Sequence, residues 1–247
     1  SDGAFAGLTL TNFAPLFSSS YFVVIASSLS LSIVTALLCM LIAFPLAHFI
    51  AFRAGKAKTL FLFFLIVPFW TNFLLHVSAW FFVLEREGFL NILLEVIGLT
   101  SGPIPFLNSL FAVTIMMVYY YLPFMVLPIY ASLERFDTHL LEASVGLGAS
   151  RWQTLTRIMI PITMPAIRAG FFLVFIPAFG EFIIPELMGG GRFFFVGSVI
   201  SEFVLGDGTE GIGSAFTLLS VGALITATLL IYSLFRRITR RLTGAMR

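Results

Sequence analysis

Five long apolar stretches alternate with short polar ones along the chain. Residues 21–52, 59–84, 108–133, 162–188 and 211–235 each supply the roughly 20 apolar positions that a helix needs to cross a bilayer core. The pattern predicts an all-α, polytopic membrane helix bundle of about five spans. Pro68 is expected to kink the second span, with Trp70, Asn72 and His76 near its middle. The third span carries Tyr119, Tyr120, Tyr121, Pro123 and Pro128, and the fourth Glu181, Glu186, Pro177 and Pro185. In the first, Ser27, Ser28, Ser30 and Ser32 favour close helix packing. Residues 1–20, Ser-rich with Pro15, read as an extracytoplasmic segment. Residues 85–107 are polar, with breakers Gly102, Pro103 and Pro105, and residues 189–210 read as a glycine-rich loop with Glu202, Asp207 and Glu210. A transmembrane domain over 21–236 is thus followed by a basic tail, 237–247.

Composition agrees, since 59% hydrophobic and only 11% charged residues exceed what a soluble core could hide. Charge adds orientation. Of 14 Lys and Arg, only Arg86 and Arg192 lie on one set of alternate loops, and the other twelve lie on the opposite set and the C-terminal end. The positive-inside rule therefore puts the 53–58 turn, the 134–161 loop and the C-terminus in the cytoplasm, and the N-terminus outside. No basic run is interleaved with exposed aromatics, which disfavours nucleic acid. Cys39 has no internal disulfide partner and reads as packing. His48, His76 and His139 lack ligand spacing, so no metal site is expected. Gly189-Gly190-Gly191 is not followed by Gly-Lys-Ser/Thr, so the chain has no phosphate loop of its own.

The polar interlude LEASVGLGASRWQTLTRIMIP (141–161) reads as helix, glycine turn, helix. Asp137 or Thr138 can cap the first helix, Gly146 and Gly148 break it, and Ser150 with Gln153 forms a capping box that starts the second. Pro161 is expected to end that second helix. Small residues at Ala143, Ser144, Gly146, Gly148 and Ala149 leave room for another backbone.

Glu142-Ala143-Ser144, Gly148, Ile158, Ile160 and Pro161 resemble, at matching spacings, the cytoplasmic signature loop of permease subunits in bacterial binding-protein-dependent ABC importers. Ser144 stands where the pattern has a second Ala, and Ile160 where it has Leu. The stretches LIVPFWTN (65–72), LPFMVLPIYASLERFD (122–137) and GEFIIPELMGG (180–190) are similar to the spermidine/putrescine branch of that family. FLLHVSAW (73–80) departs from it, lacking an expected basic residue before the aromatics. The resemblance implies a non-catalytic subunit in the bacterial inner membrane that moves polyamines inward. It further implies two ATPase subunits carrying ATP and Mg, a second homologous permease subunit and an extracytoplasmic binding protein, which docks on loops 85–107 and 189–210. No cofactor is implied in this chain. Such permeases usually have six spans, so a further helix is expected upstream. Glu142, Ala143, Ser144, Leu147, Gly148 and Ala149 become the candidate ATPase-coupling residues. The 141–160 helices would pass a rigid-body shift to the spans.

The candidate substrate path consists of Trp70, Asn72, Tyr120, Glu181 and Glu186. Intramembrane carboxylates face the bundle interior or water, and a cationic amine needs charge partners and aromatic faces once dehydrated. On one ideal helix Glu181 and Glu186 lie about 140° apart, unless a kink at Pro185 intervenes. Blander readings also fit. Glu142 can be a solvated neighbour of Arg135, Glu181 can bond an adjacent helix, Glu186 can be interfacial, and the aromatics can be packing. Another organic cation or an opine would suit the same residues as cargo. So would an ATP-independent secondary transporter, because broken helices with buried carboxylates occur there too.

Overall fold

The computed structural model describes residues 11–206 and 210–244, and within them every regular element is a helix. Residues 1–10 of the N-terminal segment, Asp207 and Arg247 lie outside the described residues. A 3-10 turn, Thr11–Phe17, leads into α1 (Ser19–Phe52), which takes in the whole first span. α1 packs on α5 (Leu110–Glu134) and α8 (Ile160–Phe179), and these three helices form the centre of the bundle.

Close approach is built into the sequence of α1. Ser28, Ser32, Ala36, Cys39, Ala43 and Ala47 recur every three or four residues on one face, and all are buried. Polar atoms on that face find partners across the interface. The Ser28 hydroxyl accepts from the Val196 amide at 2.8 Å, and the Cys39 thiol donates to the Val118 carbonyl at 3.6 Å. On α8 the corresponding small residue is Gly170. A Cβ added there would lie 2.9 Å from Met125 Sδ and 3.2 Å from the Met125 carbonyl oxygen. A methyl group there would have to push Met125 aside.

Among the described residues, four helices are long and apolar enough to span a bilayer, and a bent pair makes five if it counts as one span. That bent pair corrects the expected second span. α2 (Lys58–Trp70) and α3 (Phe73–Leu84) are separate helices, and the axis turns by 95° between Gly55–Pro68 and Phe73–Val96. The break falls after Pro68, at Thr71 and Asn72, which are both extended. Asn72 is the N-cap of α3, its side-chain oxygen accepting from the Leu74 amide at 2.8 Å, rather than an amide within a continuous helix.

The polar segment 85–107 contains α4 (Phe89–Val96), with Phe89, Ile92 and Val96 exposed. Buried Asn91 ties it down: its amide donates to the Glu85 and Ile104 carbonyls and its oxygen accepts from the Ile104 amide. The fourth span also differs from expectation. α8 ends at Phe179, and after Gly180 and Glu181 the chain resumes as α9 (Ile183–Gly189). Pro185 lies in the first turn of α9, where no intrahelical donor is required, so it makes no kink. Within the expected 189–210 loop lies a ten-residue helix, α10 (Val196–Leu205). α11 (Glu210–Gly244) is the last span and continues as helix past Arg236 into the basic tail.

Candidate functional site

The elbow is made of α6 (His139–Gly146), a glycine turn and α7 (Arg151–Thr154). Asp137, not Thr138, supplies the cap, its carboxylate accepting from the His139 amide at 3.0 Å. Gly146 does not break the helix; it is the last helical residue. Gly148 makes the turn, at φ 79°, with its amide bonded to the Val145 carbonyl and the next amide, of Ala149, to Ser144. This 6→1 and 5→2 pair is a Schellman ending, which needs a left-handed residue at that one position. Ser150 and Gln153 then form the expected capping box, each bonding the other's backbone amide.

Two buried hydroxyls lock the halves together. Ser144 Oγ lies 2.8 Å from Thr154 Oγ1 and 3.0 Å from the Leu141 carbonyl, to which it donates. Ser144 thus departs from the family pattern for a reason the sequence did not show: it has a partner ten residues on. Meanwhile the elbow's apolar side chains face outward. Leu147 is 88% exposed, Trp152 71% and Val145 68%, which on a polar loop leaves a surface for a partner to cover. Glu142, Ala143 and Gly148 are also exposed, and Ala149 is half-buried. The close neighbour of Glu142 is His139, 3.5 Å away, in place of the Arg135 considered from sequence.

Pro161 does not end the second helix. The chain runs helically from Arg151 to Phe179, 29 residues, through a π turn at Leu155–Met159. There the Ile160 amide bonds five residues back to Leu155, so the turn is widened just where Pro161 has no amide to give. One rod therefore joins the elbow at its lower end to the α8–α9 break at its upper end.

At that break sits Glu181. One carboxylate oxygen accepts from the Tyr121 hydroxyl at 2.8 Å, and the other from the Ile183 amide at 3.1 Å. Tyr121 is the twelfth of the 25 residues of α5, so the carboxylate sits level with the middle of that span. The α2–α3 break reaches the same stretch of α5 from another side. His76 bonds the Tyr119 hydroxyl through Nδ1 at 2.8 Å and faces the Pro68 carbonyl and the Thr71 hydroxyl through Nε2. Tyr120 lies between the two, edge-on to Phe73 at 5.2 Å and to Tyr121 at 5.3 Å. Pro68, His76, Tyr119 and Tyr120 help line a cavity of about 120 Å³.

Of the expected path residues, the structure brings together Tyr120 and Glu181. Trp70 is 83% exposed at the end of α2, and Asn72 is exposed at its cap. Glu186 is exposed on α9, on a different helical segment from α8. Tyr121 and His76 join this cluster from outside the expected path set. The available signal was the run of three tyrosines in an apolar span, whose hydroxyls need partners.

Comparison with known proteins gives a consistent set of relatives. The sequence profile of the family described as binding-protein-dependent transport system inner membrane component matches residues 43–244. The chain is 40% identical over 230 residues to the spermidine/putrescine transport system permease protein PotB of Haemophilus influenzae, covering 93% of this chain and 79% of that protein. It is 42% identical over 226 residues to PotB of Escherichia coli K12, covering 91% and 81%. A shorter match, 38% over 69 residues, is to the spermidine/putrescine transport system permease protein PotC of Escherichia coli K12, covering 28% of this chain and 26% of PotC. Among solved structures, a chain of the bacterial alginate ABC transporter in complex with its alginate pentasaccharide-bound periplasmic protein superimposes with a TM-score of 0.72. It is 20% identical, and the match covers 94% of this chain and 84% of that one, which establishes the shared fold.

Proposed function

Since the chain belongs to the family of binding-protein-dependent transport system inner membrane components, we propose that it is the permease subunit of an ATP-driven importer that brings polyamines of the spermidine/putrescine type into the cytoplasm. It works in the bacterial inner membrane with its C-terminus inside, beside a second, homologous permease subunit. ATP and Mg are held by two partner ATPase subunits, and an extracytoplasmic binding protein delivers the cargo. The relatives named spermidine/putrescine permeases support the cargo class.

One observation carries the mechanism: Glu181 sits at a helix break level with the middle of α5, bonded to Tyr121. Irregular backbone at membrane depth is tolerated where it is enclosed by protein or lines a water-filled path, and interrupted helices mark transport sites. A polyamine entering such a path loses water from its ammonium groups. The Glu181 carboxylate replaces that hydration with charge, and the faces of Tyr120 and Tyr121 offer cation–π contact. Trp70, Asn72 and Glu186, all exposed, serve the approach to this point rather than its centre.

The drive comes from the other end of the same rod. An ATPase groove that grips Leu147 and Trp152, with Glu142 and Gly148 shaping the fit, moves the elbow as a body. The rod from Arg151 to Phe179 carries the displacement to the segment bearing Glu181, and the π turn near its base is where it can flex. Uptake of labelled spermidine by the reconstituted assembly tests this with Glu181→Gln. The isosteric amide keeps acceptor capacity but loses the charge. Uptake is expected to fall at least tenfold while the binding protein still stimulates ATP hydrolysis. Wild-type uptake by E181Q would remove the carboxylate from the path, and a purified assembly without an ATP-binding chain would overturn the importer itself.

A further inference from the structure

Between the elbow and the cytoplasmic end of α1 lies a cavity of about 460 Å³ that the transport mechanism does not use. Phe44 on α1 and Leu155 and Met159 of the π turn contribute to its mostly apolar wall. Its polar rim carries two cations, Arg53 at the C-cap of α1 and Arg151 in the first turn of α7, beside the imidazole of His48. No carboxylate lines it, and among the described residues neither arginine has an ion-pair partner. Both guanidinium groups are exposed. The neighbouring surface of α1 is apolar and outward-facing, with Leu41 66%, Ile42 46% and Phe49 43% exposed.

From these features we infer that the cavity is a binding site for an anionic phospholipid of the inner leaflet, wedged between α1 and the coupling elbow. The charge pattern selects the occupant. A phosphodiester headgroup meets two unpaired guanidinium groups, which suit phosphate oxygens through paired N–H donors. The acyl chains then follow the apolar wall and the exposed face of α1. A basic pocket between helices at the cytoplasmic boundary suits such a headgroup. An acidic segment of an ATPase would satisfy the arginines but would leave the apolar wall and the lipid-side surface of α1 unused. A lipid bound there joins two elements that touch little otherwise, so it steadies the elbow against the bundle.

The test uses the complete assembly in nanodiscs of phosphatidylcholine with or without phosphatidylglycerol, with retained lipid counted by native mass spectrometry. Each arginine removed should lower phosphatidylglycerol affinity about fivefold, so Arg53→Gln with Arg151→Gln should lower it about 25-fold. Arg53→Lys with Arg151→Lys, which keeps the charge but not the paired donors, should fall between wild type and the double glutamine variant, and the exposed Lys56→Gln, outside the cavity, should match wild type. Phosphatidylglycerol should also raise coupled ATP hydrolysis in wild type and not in the double glutamine variant. Equal retention by wild type and the double glutamine variant would overturn the inference. So would loss of the ATPase chains with lipid retention unchanged, which would assign the arginines to the protein partner.

Discussion

Replacing Ser144 by Ala restores the residue usual at this place in the family's signature loop, yet in this chain it should loosen the elbow. Ser144 Oγ donates to the Leu141 carbonyl, so the 2.8 Å contact with Thr154 is donated by the threonine. Ser144 is 4% exposed and Thr154 9%, so water does not reach an orphaned hydroxyl easily. A buried donor left without its partner costs about 1–3 kcal/mol. Thr154 can turn part-way toward the carbonyl four residues back, as hydroxyls in helices do, which places the expected cost at about 1–2 kcal/mol. Thr154→Val alone should cost about 1 kcal/mol, because Ser144 keeps its bond to Leu141. The double variant, with both hydroxyls gone, should be less unstable than the sum of the singles. Amide hydrogen exchange of residues 141–154 in the purified assembly reads this directly. S144A should speed local exchange about five- to thirtyfold, and S144A/T154V should return most of that protection. The latch would be refuted if S144A exchanged like wild type, or if the two substitutions were additive.

Gly148→Ala should cost about 1–2 kcal/mol of backbone strain at φ 79°, with Gly148→Asn milder, although no atom lies within 4 Å of the added Cβ. Membrane insertion should therefore survive, while binding-protein-stimulated ATP hydrolysis and uptake fall; full uptake with a bulky charged residue at 148 would contradict the coupling role. Two other glycines should behave in opposite ways. Gly170→Ala pushes a methyl group against Met125 and should destabilise the solubilised protein by about 1–3 kcal/mol, seen as a lower Tm. Gly146→Ala, helical and with open space around it, should leave Tm unchanged or raise it by the equivalent of about 0.5–1 kcal/mol.

The membrane class, the helical elbow with its Ser150–Gln153 capping box and the first and third spans follow from local rules alone. Hydrophobic runs of sufficient length must hide their backbone polarity in helices whatever surrounds them. Capping and left-handed turns are decided within a few residues, so Gly148 and Ser150 announce themselves. The errors lie where a run of apolar residues conceals an interruption. Pro68 by itself signals a kink in a continuous span, but Asn72 restarts the helix and His76 ties up the freed carbonyl of Pro68 from eight residues away. Pro161 by itself signals a stop, but the π turn before it absorbs the missing donor.

Composition, hydrophobic period and local turn chemistry suffice to specify a polytopic helical bundle with a helix–turn–helix elbow on its basic side. Which polar groups meet depends on packing between distant segments. Glu181 reaches Tyr121 across 60 residues of sequence, and His76 reaches Tyr119 across 43. A buried polar atom requires a partner, but the sequence states only the requirement. The partner is chosen by how α1, α5 and α8 close on one another, through contacts that no local pattern encodes.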